Sequence, residues 1–385
     1  MHVLMISLDN SLLGNPHGNT VQRHIEYARR IGALSIVVYN PSARARRVTR
    51  LSDRLIVYPA NVPAPLGYPV AAFRRAARVH RERPADVVTT QDPFSTGLVG
   101  LTLKWRFGLP LDVQNHGSFF NNWDWIRERP LRNRALHALG KFVVRRADTN
   151  RVLTEGEQRH YRALGIPAER VTVLPTPTHV DMFAAPVPGA DLAALRARLD
   201  LAPENPVALW VGLPGPVKHI ELLLDAFARA HAALPAARLV LVGDFSGRPA
   251  LAARAEREYV RLAGRVAHQD LPPYYALADV YAHSSRYEGF GKVLVEALAA
   301  GTPVAATRSD GAEAIVRHGE TGLLADHTPA SLGDAILALL RDPTRARAMG
   351  AAGRADVLAR FDYERQLDAI AATFRRTLEL ARVRR

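Results

Sequence analysis

The 385-residue sequence predicts a two-domain α/β protein, two doubly wound parallel sheets in tandem. Three observations carry that expectation. Short β-branched runs alternate with longer amphipathic segments, the pattern of parallel strands joined by crossover helices. The alternation starts afresh after Pro186–Gly189, a Pro- and Gly-rich stretch suited to a hinge. The chain is also too long for one ordinary core and suits two of roughly 180 residues each.

In the first half, strands are expected at Val3–Leu8, Ser35–Tyr39, Val87–Thr90 and Leu111–Asn115. Helices fit Gln22–Ile31, Pro69–Arg83, Gly97–Phe107 and Leu131–Ala147. In the second half, the strands are Val207–Gly212, Arg238–Val242, Val280–Ser284 and Pro303–Thr307. Its helices fit Ile220–Ala233, Pro272–Ala278, Lys292–Ala300, Pro329–Arg341 and Ala346–Arg360. The expected domains are 1–185 and 186–365, with 366–385 a C-terminal helix that packs back on the first domain. Open α/β sheets take ligands beyond the carboxyl ends of their strands, so a tandem pair is expected to face a central cleft.

Hydrophobic content of 48% and charged content of 23% belong to a soluble globular protein. The absence of cysteine excludes disulfide staples, thiolate metal sites and cysteine nucleophiles. Met1–Leu8 carries no basic leader and its apolar run breaks at Asp9, so it reads as a strand rather than a signal peptide. No apolar run approaches the roughly 18 residues needed to span a bilayer. A cytoplasmic protein is expected, at most peripheral on the cytoplasmic membrane face.

The net charge is +14, and it is unevenly spread. Residues 1–185 hold 26 Lys and Arg against 14 Asp and Glu, whereas the remainder holds 25 against 23. Arg44, Arg46, Arg47, Arg50, Arg74, Arg75 and Arg78 contribute to the excess. Such a surface can meet nucleic acid, anionic lipid or a phosphorylated acceptor, or can simply be solvated. No nucleic-acid motif or aromatic ribonucleoprotein signature accompanies it, so no nucleic-acid partner is expected.

The segment Ser284–Thr307, SSRYEGFGKVLVEALAAGTPVAAT, carries the chemistry. It reads as strand, tight turn, helix, glycine stop, strand. Gly289 and Gly291 allow a sharp turn and a close approach of backbone to ligand. The helix that follows presents free N–H groups and a positive dipole end, a seat for a diphosphate. Glu288 lies in the turn and Glu296 about two helical turns further along the same side. A carboxylate in the turn can accept bonds from sugar hydroxyls and the second from a ribose. Alternatively, Glu288 is a helix N-terminal acid stabilised by the dipole and Glu296 an exposed helix residue.

The Glu-Gly-Phe-Gly run, the spacing of Glu288 to Glu296 and the Ala-Gly-Thr-Pro-Val ending resemble the retaining glycosyltransferases of family 4. That family, also called glycosyl transferases group 1, has the GT-B fold of two Rossmann-like domains. The resemblance extends to Val211-Gly212, Lys218 and Glu221 through Phe227, to Val242-Gly243-Asp244, and to Leu271, Tyr274, Tyr275 and Ala278-Asp279-Val280. Glu313–Val316, His318–Gly322 and Val173–Phe183 match as well, so that nearly all of residues 170–365 is covered.

The resemblance implies that Glu288 contacts donor-sugar hydroxyls and Glu296 the nucleotide ribose. It places Phe290, Gly291 and their neighbours Gly289 and Lys292 on the diphosphate, whose charge Lys218 neutralises as the sugar departs; Gly243 falls on the same donor side. Lys218 and Lys292 are two of only four lysines in the chain, and a compact ammonium suits a crowded phosphate cluster. Lys292 also reads as an exposed first-turn residue. In the first half, Gly14–Thr20, with Gly18, corresponds to the family's loop over phosphates and acceptor, although Asn19 and Thr20 stand where paired glycines are common. His116, before Gly117, matches the histidine beside the reacting sugar. Trp123, Asp124, Trp125 and Ile126, beside Arg127, Arg129, Arg132 and Arg134, form either a surface for a lipid-linked acceptor or part of the first domain's packing.

Two departures stand out. Leu213 replaces the arginine that often follows the matched Gly212, and His219 replaces the glycine that follows Lys218. The function implied is a retaining transfer of sugar from a nucleotide diphosphate sugar to a glycan, glycolipid or small-molecule hydroxyl. No Asp-x-Asp site or histidine cluster calls for a metal, and no cofactor is expected. The alternatives are a non-catalytic nucleotide-sugar or lipid binder and another GT-B enzyme, such as a nucleotide-sugar epimerase or a phosphorylase.

Overall fold

The computed structural model describes residues 1–14, 18–41 and 46–383. Arg44 and residues 15–17 of the Gly14–Thr20 loop lie outside the described residues. The chain forms two compact units, Met1–Pro175 with Glu364–Arg385, and Thr176–Tyr363. The division falls at Pro175/Thr176, ahead of the Pro186–Gly189 stretch from which the sequence suggests a hinge.

The first unit runs β1 (His2–Ser7), α1 (Asn19–Ile31), β2 (Ala33–Asn40), β3 (Thr49–Ser52), β4 (Leu55–Asn61), α2 (Tyr68–Glu82) and β5 (Val87–Thr90). It continues through α3 (Ser95–Phe107), β6 (Leu111–Gln114), α4 (Trp123–Glu128), α5 (Pro130–Arg146), β7 (Thr149–Val152), α6 (Glu155–Ala163) and β8 (Val171–Val173). Its eight-stranded sheet is ordered β3-β4-β2-β1-β5-β6-β7-β8. Every pairing is parallel except β3 with β4. Helices cover both faces, so β1 is buried at every residue and shows no alternation. Leu4, Val88, Leu101, Leu111 and Val143 belong to one buried cluster.

The second unit comprises α7 (Val180–Ala184), α8 (Gly189–Arg198), β9 (Val207–Val211), α9 (Ile220–Ala233), β10 (Arg238–Val242), α10 (Pro249–Ala255), β11 (Val260–Gly264) and α11 (Pro272–Leu277). Next come β12 (Val280–His283), α12 (Lys292–Ala299), β13 (Val304–Thr307), α13 (Asp310–Ile315), β14 (Gly322–Ala325), α14 (Pro329–Arg341) and α15 (Pro343–Arg360). The sheet is parallel throughout, ordered β11-β10-β9-β12-β13-β14. Trp210, Leu223, Phe227, Leu239 and Leu332 lie in its core.

The last helix, α16 (Tyr363–Val383), belongs to the first unit from Glu364 onward. Thr377 Oγ1 meets Thr149 Oγ1 at 2.7 Å, and Arg376 donates to the Glu169 carbonyl. Arg30 pairs with Glu364 and Asp368.

Several elements escape the sequence patterns. β3 is largely exposed and polar, so it offers no apolar run. β7 reads TNRV yet is fully buried, because Thr149, Asn150 and Arg151 each find specific hydrogen-bond partners. Periodicity cannot foresee a strand held by polar pairing.

Candidate functional site

In the second unit, the strand order reverses between β9 and β12, which are neighbours although β10 and β11 intervene in sequence. Such a switch point leaves a crevice beyond the carboxyl ends of the two strands. The Leu213–His219 loop leaves β9 there, and the Ser284–Gly291 turn leaves β12.

Two bonds tie these segments together, and a third fixes the turn to the end of β13. Ser284 Oγ donates to the Lys218 carbonyl at 2.7 Å and Arg286 N to the Val217 carbonyl at 2.8 Å, while Thr307 Oγ1 donates to the Ser285 carbonyl at 2.8 Å. They hold Lys218 beside the turn, where its Nζ reaches Glu288 Oε2 at 2.5 Å. Burial alone would raise the Glu288 carboxyl, but the Lys218 ammonium, with the Gly289 N–H, holds it below its ordinary value of 4.5. Glu288 is therefore ionised at neutral pH.

His283, the last residue of β12, completes the group. Its Nε2 lies 3.7 Å from Glu288 Oε2, and neither ring nitrogen has a hydrogen-bond partner among the described residues. Burial, reinforced by Lys218, lowers its pKa to about 3, so the ring is neutral at pH 7. The motif pattern does not single out this histidine; a histidine within the apolar run of β12 was its only signal.

The turn itself depends on two glycines. Gly291 has φ +80° and is the residue from which α12 starts, a conformation L side chains rarely adopt. Gly311, at the start of α13, donates to the Glu288 carbonyl at 3.1 Å. A Cβ on Gly311 would lie 2.8 Å from that same oxygen. Phe290 is buried against Phe361, and Gly289 is buried beside it, while Lys292 is half-buried in the first turn of α12. At the end of β10, Gly243 is packed so closely that a Cβ would stand 2.2 Å from the Gly212 carbonyl.

Glu296 is 3% exposed, which removes the reading of an exposed helix residue. The Tyr275 hydroxyl donates to its Oε2 at 2.9 Å, and His268 Nε2 lies 3.0 Å from its Oε1. Each carboxylate oxygen keeps a further acceptor site. Tyr275 falls within the sequence motifs without a role, and nothing in the sequence distinguishes His268.

Both departures are visible here. Leu213 is 76% exposed at the end of β9, where its apolar side chain supplies no charge. His219 has φ +45° and so keeps the left-handed backbone that glycine would take with less strain. Arg286 Nη2 is 3.4 Å from His219 Nε2, which brings an exposed cation to the loop of the half-buried Lys218.

In the first unit, His116 follows β6, with Nε2 3.1 Å from Gln114 Oε1. Arg151 Nη1 donates to that same oxygen at 3.0 Å while its other nitrogens donate to the Leu174 and Pro175 carbonyls. Arg151 thus anchors the side chain that holds His116. Surrounding protein and the cations Arg151 and Arg23 both favour the neutral imidazole, although the ring presents an exposed surface. Below this layer, Asp112 accepts from Thr89 and Thr149, and burial pushes its carboxyl up to about 6. Gly18 is half-buried and precedes the first turn of α1. Within α1, His24 is buried and bonded to the Thr20 carbonyl, and burial lowers its pKa to about 4. Among the described residues, no group of three His, Asp or Glu side chains is placed to hold a metal ion.

Two doubly wound units, one with a paired lysine and glutamate at a helix N-terminus, define the class as a GT-B glycosyltransferase. The glycosyl transferases group 1 family matches residues 205–342, and the glycosyl transferase 4-like domain matches residues 19–177. The chain belongs to the glycosyl transferases group 1, family 4.

The chain is 32% identical over 336 residues to the D-inositol 3-phosphate glycosyltransferase of Thermobispora bispora, covering 83% of this chain and 77% of that protein. It is 33% identical over 298 residues to the enzyme of that name from Segniliparus rotundus, covering 74% of this chain and 64% of the relative. A GDP-mannose-dependent alpha-(1-6)-phosphatidylinositol monomannoside mannosyltransferase of Mycobacterium tuberculosis is 37% identical over 228 residues, 56% of this chain and 58% of its own length. Sucrose-phosphate synthase from Thermosynechococcus elongatus shares the fold, with a TM-score of 0.82, 24% identity and coverage of 97% of this chain and 98% of that one.

Proposed function

We propose that the chain moves a sugar from a nucleotide diphosphate donor to an acceptor hydroxyl, with retained configuration at the anomeric carbon. The observation that carries this reading is the convergence of Lys218, Glu288 and the α12 N-terminus at the β9/β12 switch point. A donor diphosphate competes with Glu288 for the Lys218 ammonium. Glu288, released from that pair, accepts from the sugar hydroxyls. The N–H groups around Phe290 and Gly291 and the Lys292 side chain receive the diphosphate, Gly289 and Gly243 keep the backbone close to it, and Glu296 accepts from the ribose. On the first unit, Gly18 and His116, the latter held through Gln114 by Arg151, are assigned to donor and acceptor binding by their match to the family's loop and histidine.

The reaction forms a bond from the acceptor oxygen to the anomeric carbon and breaks the bond from that carbon to the diphosphate oxygen. The acceptor proton passes to the departing diphosphate on the same face, so no protein nucleophile and no divalent ion are required. Catalysis is electrostatic and positional. The phosphatidylinositol-mannoside relative favours a glycolipid acceptor, and the basic first half favours work at a membrane surface.

A second reading, a non-catalytic nucleotide-sugar binder, is favoured by Leu213, which leaves the diphosphate one cation short. Thermal shifts with UDP, GDP, ADP and dTDP identify the base, since a ligand of the folded state raises Tm. Single-turnover consumption of the matching sugar nucleotide then separates the readings. Nucleotide binding without donor consumption would overturn the enzyme.

A further inference from the structure

We infer that the outward face of α5 is a docking surface for an anionic lipid bilayer. The inference deepens the glycolipid reading above by naming the surface that meets the membrane. Helix α5 buries one face, through Asn133, Gly140, Val143 and Val144. Its opposite face carries Leu131, Ala135, Ala138 and Phe142, the spacing of neighbours along one side of a helix. These are apolar and exposed, Leu131 at 86% and Phe142 at 38%. A globular helix ordinarily turns such a stripe inward. Here the stripe points outward and is extended by Trp105 of α3, 60% exposed, whose ring centroid is 6.2 Å from that of Phe142.

Charge complementarity selects the occupant. Helices α3 and α5 contain no aspartate or glutamate, yet carry Lys104, Arg106, Arg132, Arg134, Lys141, Arg145 and Arg146. Among the described residues, only Lys104 of this set pairs with a carboxylate, that of Asp148. The Arg146 guanidinium lies over the Phe142 ring at 3.8 Å, so cation and apolar group share one patch. Arg134 and Lys141, with Phe120, Trp123 and His137, also line an open pocket of about 380 Å³ that has no carboxylate in its wall. The adjoining helix α4 holds two acids, Asp124 and Glu128, and Asp124 is 3.6 Å from Arg127. An apolar stripe bordered almost wholly by arginine and lysine matches the boundary between acyl chains and phosphate headgroups. A protein partner with an acidic surface would satisfy the charges but not the stripe, and a second copy would satisfy the stripe while opposing like charges.

The test is co-sedimentation of the full chain with vesicles of phosphatidylcholine and phosphatidylglycerol in equal parts, against phosphatidylcholine alone. Binding is expected to the mixed vesicles and to fall steeply with added salt. Exchange of a lysine or arginine near the surface is worth about fivefold, so Arg134→Gln with Lys141→Gln lowers the bound fraction by more than about tenfold. Leu131→Glu and the milder Leu131→Gln lower it through the stripe, and circular dichroism melting shows that each variant folds. In all variants the nucleotide thermal shift is expected to stay at the wild-type value. Equal binding to both vesicle types, no binding to either, or undiminished binding by the variants overturns the proposal. So does a dimer in sedimentation equilibrium that Leu131→Glu dissolves. Loss of donor consumption with vesicle binding intact would instead strike the transfer reading alone.

Discussion

The Lys218 ammonium lies 2.5 Å from the Glu288 carboxylate, so the two charges assigned to the diphosphate and the sugar neutralise each other across a half-buried contact. A donor must replace an existing ion pair rather than enter a bare cationic pocket. Lys218→Met is therefore expected to remove the leaving-group charge and to leave Glu288 without its counterion. Single-turnover donor consumption should fall by about 10²- to 10³-fold. A rate within threefold of wild type, about the scatter of such effects, would exclude Lys218 from the reaction.

The same pair sets a pH response. The Glu288 carboxyl is held below 4.5 in the folded chain, so the unfolded chain binds its proton first as pH falls. Its stabilisation is complete above that value and is lost as pH drops through the folded pKa. Urea midpoints of the wild type should fall more steeply below pH 4.5 than those of Lys218→Met.

The buried histidines act in a higher window. His24 and His283 have folded pKa values of about 4 and about 3, against an ordinary 6.5. Between 6.5 and those values, the unfolded chain binds protons that the folded chain refuses, so stability rises with pH. Each histidine contributes a slope of about 1.4 kcal/mol per pH unit there. His283→Phe should flatten the slope in the unit that contains it, measured by urea unfolding between pH 7 and pH 5.

Gly311→Ala places a Cβ 2.8 Å from the Glu288 carbonyl, against backbone that cannot rotate away. The turn must shift, and with it Glu288. Loss of nucleotide-induced thermal stabilisation is expected, with a Tm of the free protein lowered by a few degrees, the effect of about 1 kcal/mol. Gly301→Ala is the control: its φ is +82°, but no atom lies near its Cβ, so it should lower Tm without touching the thermal shift.

Tyr275→Phe removes one donor from Glu296 while retaining the ring packed against Phe183. If Glu296 receives the ribose, nucleotide affinity should weaken by about tenfold, the worth of a hydrogen bond to a charged group. Unchanged affinity in isothermal titration would mean that Glu296 serves the core alone.

Much of the donor side was legible in the sequence because strand, glycine turn and helix N-terminus are local features. Glu288, Phe290 and Gly291 lie within four consecutive residues, and backbone chemistry orients them together. Glu296 was legible in position but not in environment: its burial and its bonds to Tyr275 and His268 join three separate elements. Gly311 and His283 were missed for the same reason, since one acts through a carbonyl in another turn and the other through a carboxylate of the following loop.

By itself the sequence determined the class of fold, the central strands and helices of both units, and the residues of the Ser284–Thr307 turn. Hydrophobic periodicity and turn chemistry depend on neighbours in the chain, and that information is complete in one dimension. Only the tertiary structure decided that Lys218 and Glu288 meet, that Arg151 holds His116 through Gln114, and that α5 turns an apolar stripe outward. Each depends on which surfaces the sheet order brings together or leaves uncovered, and a charge or an apolar side chain has no partner until that order exists.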